Sequence, residues 1–278
     1  MLGRGVNPSA DSLAYLVPYL ISADIALANL ESPLTTVPSQ TSGYSLCATP
    51  DRVSFLAEAG LDLLSIANNH NLDCGQRGLA ETESTLHTAG LTPLNAQTVY
   101  RKIHGLKLAF LAFDDISAPI DMNAAVQAIH EARNSSAVVI VSIHWGLEYQ
   151  GGASERQRQL AHQFTEAGAS LLWGHHPHVL QPAEWVGSLP YEGSNPSVAP
   201  QDRSSHGCGL ILYSLGNALF DQGGLVDTRA SALVLVELDG NGVRSANAIP
   251  FVIDVQHGRI QEADKQTADS IIERLGLR

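Results

Sequence analysis

Histidine, asparagine and glutamate gather in short polar clusters along this sequence: Asn29-Leu30-Glu31, Asn68-Asn69-His70, His144-Trp145-Gly146, His175-His176-Pro177-His178 and Gly216-Asn217. Imidazole nitrogens with carboxylate and amide oxygens, and no thiolate, suit Mn, Fe or Zn better than a soft metal. His176 and His178 are one residue apart, so on an extended segment they point to the same side and can grip one cation or a pair. Two cations roughly 3.5 to 4 Å apart polarise a phosphoryl or acyl oxygen and lower the pKa of a bridging water, which is hydrolytic chemistry. Such a centre needs a carboxylate bridge, for which Glu31 is the candidate. It also needs a proton donor for the leaving group, for which His70 is placed. Asn68-Asn69 alone reads as a turn, and His70 beside it turns the reading toward a site. The remaining histidines, His87, His104, His130, His162, His206 and His257, read as solvated or locally bonded.

Along the first two thirds of the chain one run of signals recurs before the clusters: a helix, a stop, then a short apolar strand. Asp11 to Ile21 reads as a helix kinked or restarted at Pro18, and Ile25 to Ala28 as the strand before Asn29. Pro50 and Asp51 open a second helix, Gly60 ends it, and Leu61 to Ala67 is the strand before Asn68. Asp73-x-x-Gln76 has the form of a capping box for a helix reaching Thr88. Lys107 to Phe113 is a strand, and the β-branched run Ala137 to Ile143 predicts one buried on both faces. Ser154 to Ala167 is a helix, Ser170 to Trp173 and Leu210 to Leu215 are strands, and Pro182 to Gly207 reads as a long surface loop. Ser231 to Leu238 and Ile249 to Val255 are late strands joined by the turn signal Asp239-Gly240-Asn241-Gly242. Residues 1–260 therefore read as one domain, and residues 261–278 as a surface helix or tail.

Helices alternating with short strands predict an α/β fold with a largely parallel or mixed sheet. Ligands of such sheets bind beyond the carboxyl ends of the strands, where all the clusters fall. The 28 acidic against 16 basic side chains leave a net charge of −12, which excludes general nucleic-acid binding and makes a cation necessary for any anionic substrate. No apolar run is long enough for a membrane span. The three cysteines, Cys47, Cys74 and Cys208, are an odd set without Cys-x-x-Cys spacing and read as reduced. With no signal pattern after Met1, the chain as written is expected in the cytoplasm, or at the cell envelope if its true start lies upstream.

The clusters and their neighbours resemble a known family. Met1-Leu2-Gly3-Arg4-Gly5-Val6-Asn7, Asn29 to Leu34, Ala67 to His70 with Asp73 and Gly75, His144-Trp145-Gly146 with Glu148 and Tyr149, Gly174 to Val179, and Tyr213 to Asn217 are similar to the capsule-synthesis, or poly-γ-glutamate biosynthesis, CapA proteins of the calcineurin-like metallophosphatase superfamily. The resemblance implies a four-layer α/β/β/α sandwich. It implies metal ligation by Glu31, Asn69, His144, His176 and His178, with His70 assisting the leaving group. Arg4, Asn68, Trp145, Glu148 and His175 are the expected substrate-side residues, with Arg4 holding an anion, Glu148 supporting the centre and Trp145 walling it. Family members carry a Gly-Asp pair ending a first strand directly before the Met-Leu-Gly-Arg segment. That strand is absent here, so the start site is expected to be placed too late and a second cation to bind poorly. The implied function is a metal-dependent hydrolase making or remodelling an anionic surface polymer. The alternatives are a phosphoesterase acting on a small phosphorylated molecule and a non-catalytic partner of a polymer synthase.

Overall fold

In the computed structural model the run predicted as a buried strand, Ala137 to Ile143, forms a strand over Val138–His144 that is buried at all seven positions. The structure describes residues 2, 9–187, 209–220 and 226–277. In chain order the elements are α1 (Val17–Ser22), β1 (Leu27–Asn29), α2 (Val53–Glu58), β2 (Leu63–Ser65), α3 (Gly75–Thr88), β3 (Thr92–Leu94), β4 (Val99–Ile103), β5 (Leu106–Asp114), α4 (Met122–Ser135), β6 (Val138–His144), α5 (Glu155–Glu166), β7 (Leu171–His175), β8 (Leu180–Val186), β9 (Gly209–Leu215), β10 (Ala230–Asp239), β11 (Gly242–Asp254), β12 (Arg259–Glu262) and α6 (Lys265–Leu275).

The largest sheet has the order β4-β5-β6-β7-β9-β8. Its inner strands β5, β6, β7 and β9 are parallel, and antiparallel β4 and β8 close the edges. Two three-stranded sheets face it, parallel β1-β2-β3 and antiparallel β10-β11-β12. Side chains alternate along each strand, so each strand feeds two cores. Val139, Val141 and Ile143 pack with α4 and α5 residues such as Ile129 and Phe164. Val138 and Ile140 face the smaller sheets, meeting Leu63 and Ala232. Leu64 and Phe251 turn the other way, toward Leu20, Leu56 and Leu86 of α1, α2 and α3. Three apolar interfaces separate four layers, helices outside and sheets inside, which is the α/β/β/α sandwich the resemblance implied.

β1 and β10 stand at the ends of their sheets, and a cavity of about 1180 Å3 runs along both. The uninterrupted residues 24–31 and 232–240 line it. Alternating side chains would line a space only at every second residue, so the cavity follows the two strand edges.

Several local expectations are corrected. The stretch predicted as one helix from Asp11 splits into a 3-10 turn, Ala10–Leu13, and α1, with Pro18 in the first turn of α1, where a missing N–H costs nothing. Asp73 does not cap α3, which begins at Gly75 with Cys74 as N-cap. Pro182 lies inside β8, at the edge of its sheet, where proline is tolerated; the stretch from 188 to 207 lies outside the described residues. The surface helix expected after residue 261 forms as α6, and only Ile271 and Leu275 of it are buried, packed on the core.

The largest correction concerns the cysteines. Cys47 and Cys74 form a disulfide across 27 residues, their Cα atoms 6.4 Å apart. Spacing in sequence carried no sign of it. The chain folds back through the pairing of Leu34 with Ala48, and this return sets Cys47 against the start of α3. Cys208 lies outside the described residues.

Candidate metal centre

The parallel strands β1, β2, β6, β7 and β9 all end at one rim, and the polar clusters follow their last residues. Glu31 is buried there. Its Oε1 lies 3.7 Å from Nε2 of His144 and 3.8 Å from Nε2 of His178. Among the described residues, Oε1 of Glu31 and Nδ1 of His176 are buried without a hydrogen-bond partner. Leaving such atoms bare in an apolar setting costs about 1 to 3 kcal/mol each, so they mark a place where a ligand belongs. Ligand atoms of Glu31, His144 and His176 all lie within 4.8 Å of one another, and so do those of Glu148, His176 and His178.

A relay of buried hydrogen bonds sets the face His144 presents. Ser142 Oγ donates to Ser65 Oγ (2.7 Å), so it accepts from Nε2 of His175 (2.8 Å). Nδ1 of His175 is then an acceptor and takes the proton of His144 Nδ1 (2.7 Å). His144 is left with a lone pair on Nε2, 2.8 Å from Oδ1 of Asn69. His178 is oriented the same way: its Nδ1 donates to Oδ1 of Asn217 (2.8 Å), while the Asn217 amide donates to the His178 carbonyl (3.2 Å). Nε2 of His178 therefore turns its lone pair toward Glu31. Ligating histidines are held by such a bond at the far nitrogen, which also raises their basicity.

The electrostatics agree with neutral imidazoles beside a carboxyl whose partial compensation, from His70 and the Asn29 amide, does not offset its burial. Burial holds His175 down to about 3 and His176 to about 4, and lowers His144 and His178 as well. Burial also pushes Glu31 up to about 7. The donor set is two kinds of oxygen and imidazole nitrogen, all free of competing protons near neutral pH except Glu31. It fits a divalent cation of the Mn, Fe or Zn class.

His176 and His178 converge by a route other than the one expected. They follow the end of β7 in a turn, not an extended strand, with φ of 104° and 60°. Non-glycine residues held in left-handed backbone conformations cost roughly 1 to 3 kcal/mol each, and persist where the surroundings force them.

The other expected residues take distinct places. Asn68 is buried and ties the loops, its amide donating to Asn29 Oδ1 (3.2 Å) and the Leu30 carbonyl (3.0 Å). His70 stands over the centre, partly exposed, with Nδ1 3.0 Å from Oδ2 of Asp73. Glu148 is exposed on the solvent side of His176 and His178. His175 spends both ring nitrogens on Ser142 and His144, so it supports the centre from behind. Trp145 is wholly buried in the α4 and α5 core, its indole N–H on the Tyr213 carbonyl (2.9 Å), and forms no wall of the site. Arg4 lies outside the described residues.

Sequence reasoning passed over Ser65 and Ser142, and it gave no role in the centre to Asp73 or Asn217 although both stood in the motifs it named. Asn217 closes a strand just as Asn29 does, a signal that was present. The serines sit within apolar strands and carried none.

Residues 2–222 match the family described as bacterial capsule synthesis protein PGA_cap. The PGA biosynthesis protein CapA of Bacillus subtilis (strain 168) is 32% identical over 284 residues, covering 91% of this chain and 69% of that protein. The capsule biosynthesis protein CapA of Bacillus anthracis is 30% identical, with 93% and 66% covered. Among solved structures, the sulfate thiohydrolase SoxB of Thermus thermophilus superposes with a TM-score of 0.52 at 15% identity, over 98% of this chain and 48% of that one. That likeness concerns the fold.

Proposed function

Since the chain belongs to the bacterial capsule synthesis protein family PGA_cap, and its role lies in capsule or poly-γ-glutamate biosynthesis, we propose that it serves that role as a metal-dependent hydrolase acting on an anionic surface polymer. The observation that carries this reading is the buried Oε1 of Glu31, without a hydrogen-bond partner among the described residues and set among the ring nitrogens of His144, His176 and His178.

In this reading Glu31, Asn69, His144, His176 and His178 hold a divalent cation. Bound there, it would supply charge stabilisation for a phosphoryl or acyl oxygen and a more acidic water. His70, steadied by Asp73, delivers a proton to the leaving group. Glu148 is the ligand-capable carboxylate on the open side of the centre and can complete a weaker second site with His176 and His178. The net charge of −12 makes the cation the attractive element for a polyanion.

We place the protein in an oxidising compartment, at the cell envelope. The Cys47–Cys74 disulfide supports this reading, because cytoplasmic thiols are kept reduced. Among the described residues no helix is long and apolar enough to cross a membrane.

The test is hydrolysis by protein loaded with Mn or Zn, assayed against poly-γ-glutamate and against a generic aryl phosphate. Chain shortening of the polymer, abolished by His176→Ala, is the expected result. Cleavage of the aryl phosphate alone would make the protein a phosphoesterase for small compounds, and cleavage of neither would leave the role of an assembly partner.

A further inference from the structure

The disulfide does more than shorten a loop. Cys74 is followed by α3 and preceded by Asp73, while Cys47 is preceded by Leu46. Oδ2 of Asp73 accepts the backbone N–H of Leu46 at 2.9 Å and faces Nδ1 of His70 at 3.0 Å. One carboxylate oxygen thus joins the segment carrying Cys47 to the ring that stands over the centre. The Asp73 carbonyl accepts the N–H of Gln40 at 2.7 Å, a second tie to the same loop.

Both residues beside the bridge are buried, Leu46 at 1% and Asp73 at 4% exposure. The loop between them and the outer sheet is exposed along residues 38–44. Pairing of Ala48 with Leu34 fixes the returning chain to the outer layer; the disulfide fixes it to the start of α3. A buried carboxylate needs its N–H donors, and losing one loosens its hold on its other partner.

We infer that the Cys47–Cys74 disulfide is a positioning element of the centre: it holds the Leu46 N–H on Asp73, and through Asp73 it holds the imidazole of His70 in line. Cys47, Cys74 and Asp73 are positioning residues and touch no substrate. The inference rests on the reading of His70 as proton donor to the leaving group. A phosphine cleaves the bridge in a balanced step: the phosphine is oxidised by two electrons to its oxide, water supplies the oxygen and two protons, and the S–S bond becomes two thiols.

The test compares oxidised protein, protein reduced with a phosphine and then freed of it, and the variants C47A, D73N and C47A/D73N, each loaded with Mn or Zn. Two readouts are taken. The first is the NMR signal of the His70 Nδ1–H in the zinc or metal-free form, assigned by its loss in His70→Gln. The second is kcat and KM on whichever of poly-γ-glutamate and the aryl phosphate the oxidised protein cleaves, together with metal affinity. In the reduced protein and in C47A the His70 signal is expected to broaden or vanish, and kcat to fall about tenfold or more, with KM and metal affinity within about twofold. The double variant should be no slower than D73N, because both changes act through one contact. An intact His70 signal after reduction overturns the inference whether or not the protein turns over. So does unchanged kcat, a fall in metal affinity equal to that in kcat, or additive losses in the double variant. Absence of turnover in every form would defeat the hydrolase reading, and the His70 signal would then decide the positioning alone.

Discussion

Oδ1 of Asn69 stands 2.8 Å from Nε2 of His144, and the relay from Ser65 through Ser142 and His175 leaves that nitrogen without a proton. Two lone pairs at this distance repel unless something positive lies between or beside them. Oε1 of Glu31, once ionised, is a further acceptor 3.7 Å from the same nitrogen. Three acceptors from three strand ends share a buried space, and a cation bound there would resolve the conflict for all three.

His144→Ala and Asn69→Ala should therefore each weaken Mn or Zn binding by about tenfold or more, measured by isothermal titration calorimetry. If Asn69 served only as a hydrogen-bond partner of His144, its removal would leave metal affinity unchanged.

Metal binding should tighten with rising pH. Glu31 must lose its proton to serve as a ligand, and burial raises it to about 7. Below that pH the proton competes, so affinity is expected to fall about tenfold per unit down to pH 6 and to level off above 8. His175 and His176, held near 3 and 4 by burial, do not compete in this window. Calorimetry at pH 6.5 in buffers of different ionisation heat should report release of most of one proton. Glu31→Gln should bind more weakly and with no such slope.

Stability of the metal-free protein should have the opposite-seeming cause but the same direction. His175 and His176 are held down from 6.5 to about 3 and about 4, so between about pH 4 and 6.5 the unfolded chain binds protons the native state refuses. This stability is present above 6.5 and is lost as pH falls. Glu31, raised from 4.5 to about 7, works the other way, losing its contribution as pH rises through 7. Two imidazoles outweigh one carboxyl, so Tm in EDTA should drop by at least several degrees from pH 6.5 to 5. A flat or rising Tm over that interval would show that these rings are protonated in the native state.

The sequence carried the rim and most of its occupants, because strands and the polar clusters that end them are local signals. Glu31, Asn69, His144, His176 and His178 each follow an apolar run, and parallel strands necessarily bring such ends together. Less local features were invisible. The His-Pro-His convergence depends on positive φ at His176 and His178, which the histidine side chain itself disfavours and only tertiary packing enforces. The pairing of Cys47 with Cys74 depends on the chain returning to lie parallel beside Leu34 at Ala48. Asp73 carried a valid capping signal, and the burial of its carboxylate between Leu46 and His70 overrode it. Trp145 sits beside His144 in sequence, yet alternation at the strand end sends it into the opposite core.

That last contrast yields a paired prediction. Ser142 is 1% exposed and touches no ligand position directly, but its oxygen accepts the proton of His175 Nε2 and so fixes which nitrogen of His144 is free. Ser142→Ala removes one oxygen from a tightly packed strand and leaves two imidazoles free to exchange tautomers. Metal affinity should fall about tenfold while Tm changes little, since outer hydrogen bonds of this kind are worth 10- to 100-fold in affinity. Trp145→Phe should do the reverse. It strips the Tyr213 carbonyl of its indole donor and costs about 1 to 3 kcal/mol of stability, but the relay to His144 is untouched and metal affinity stays within about twofold. Equal losses of affinity in the two variants would mean that the centre responds to general loosening of β6, and that the serine relay sets nothing.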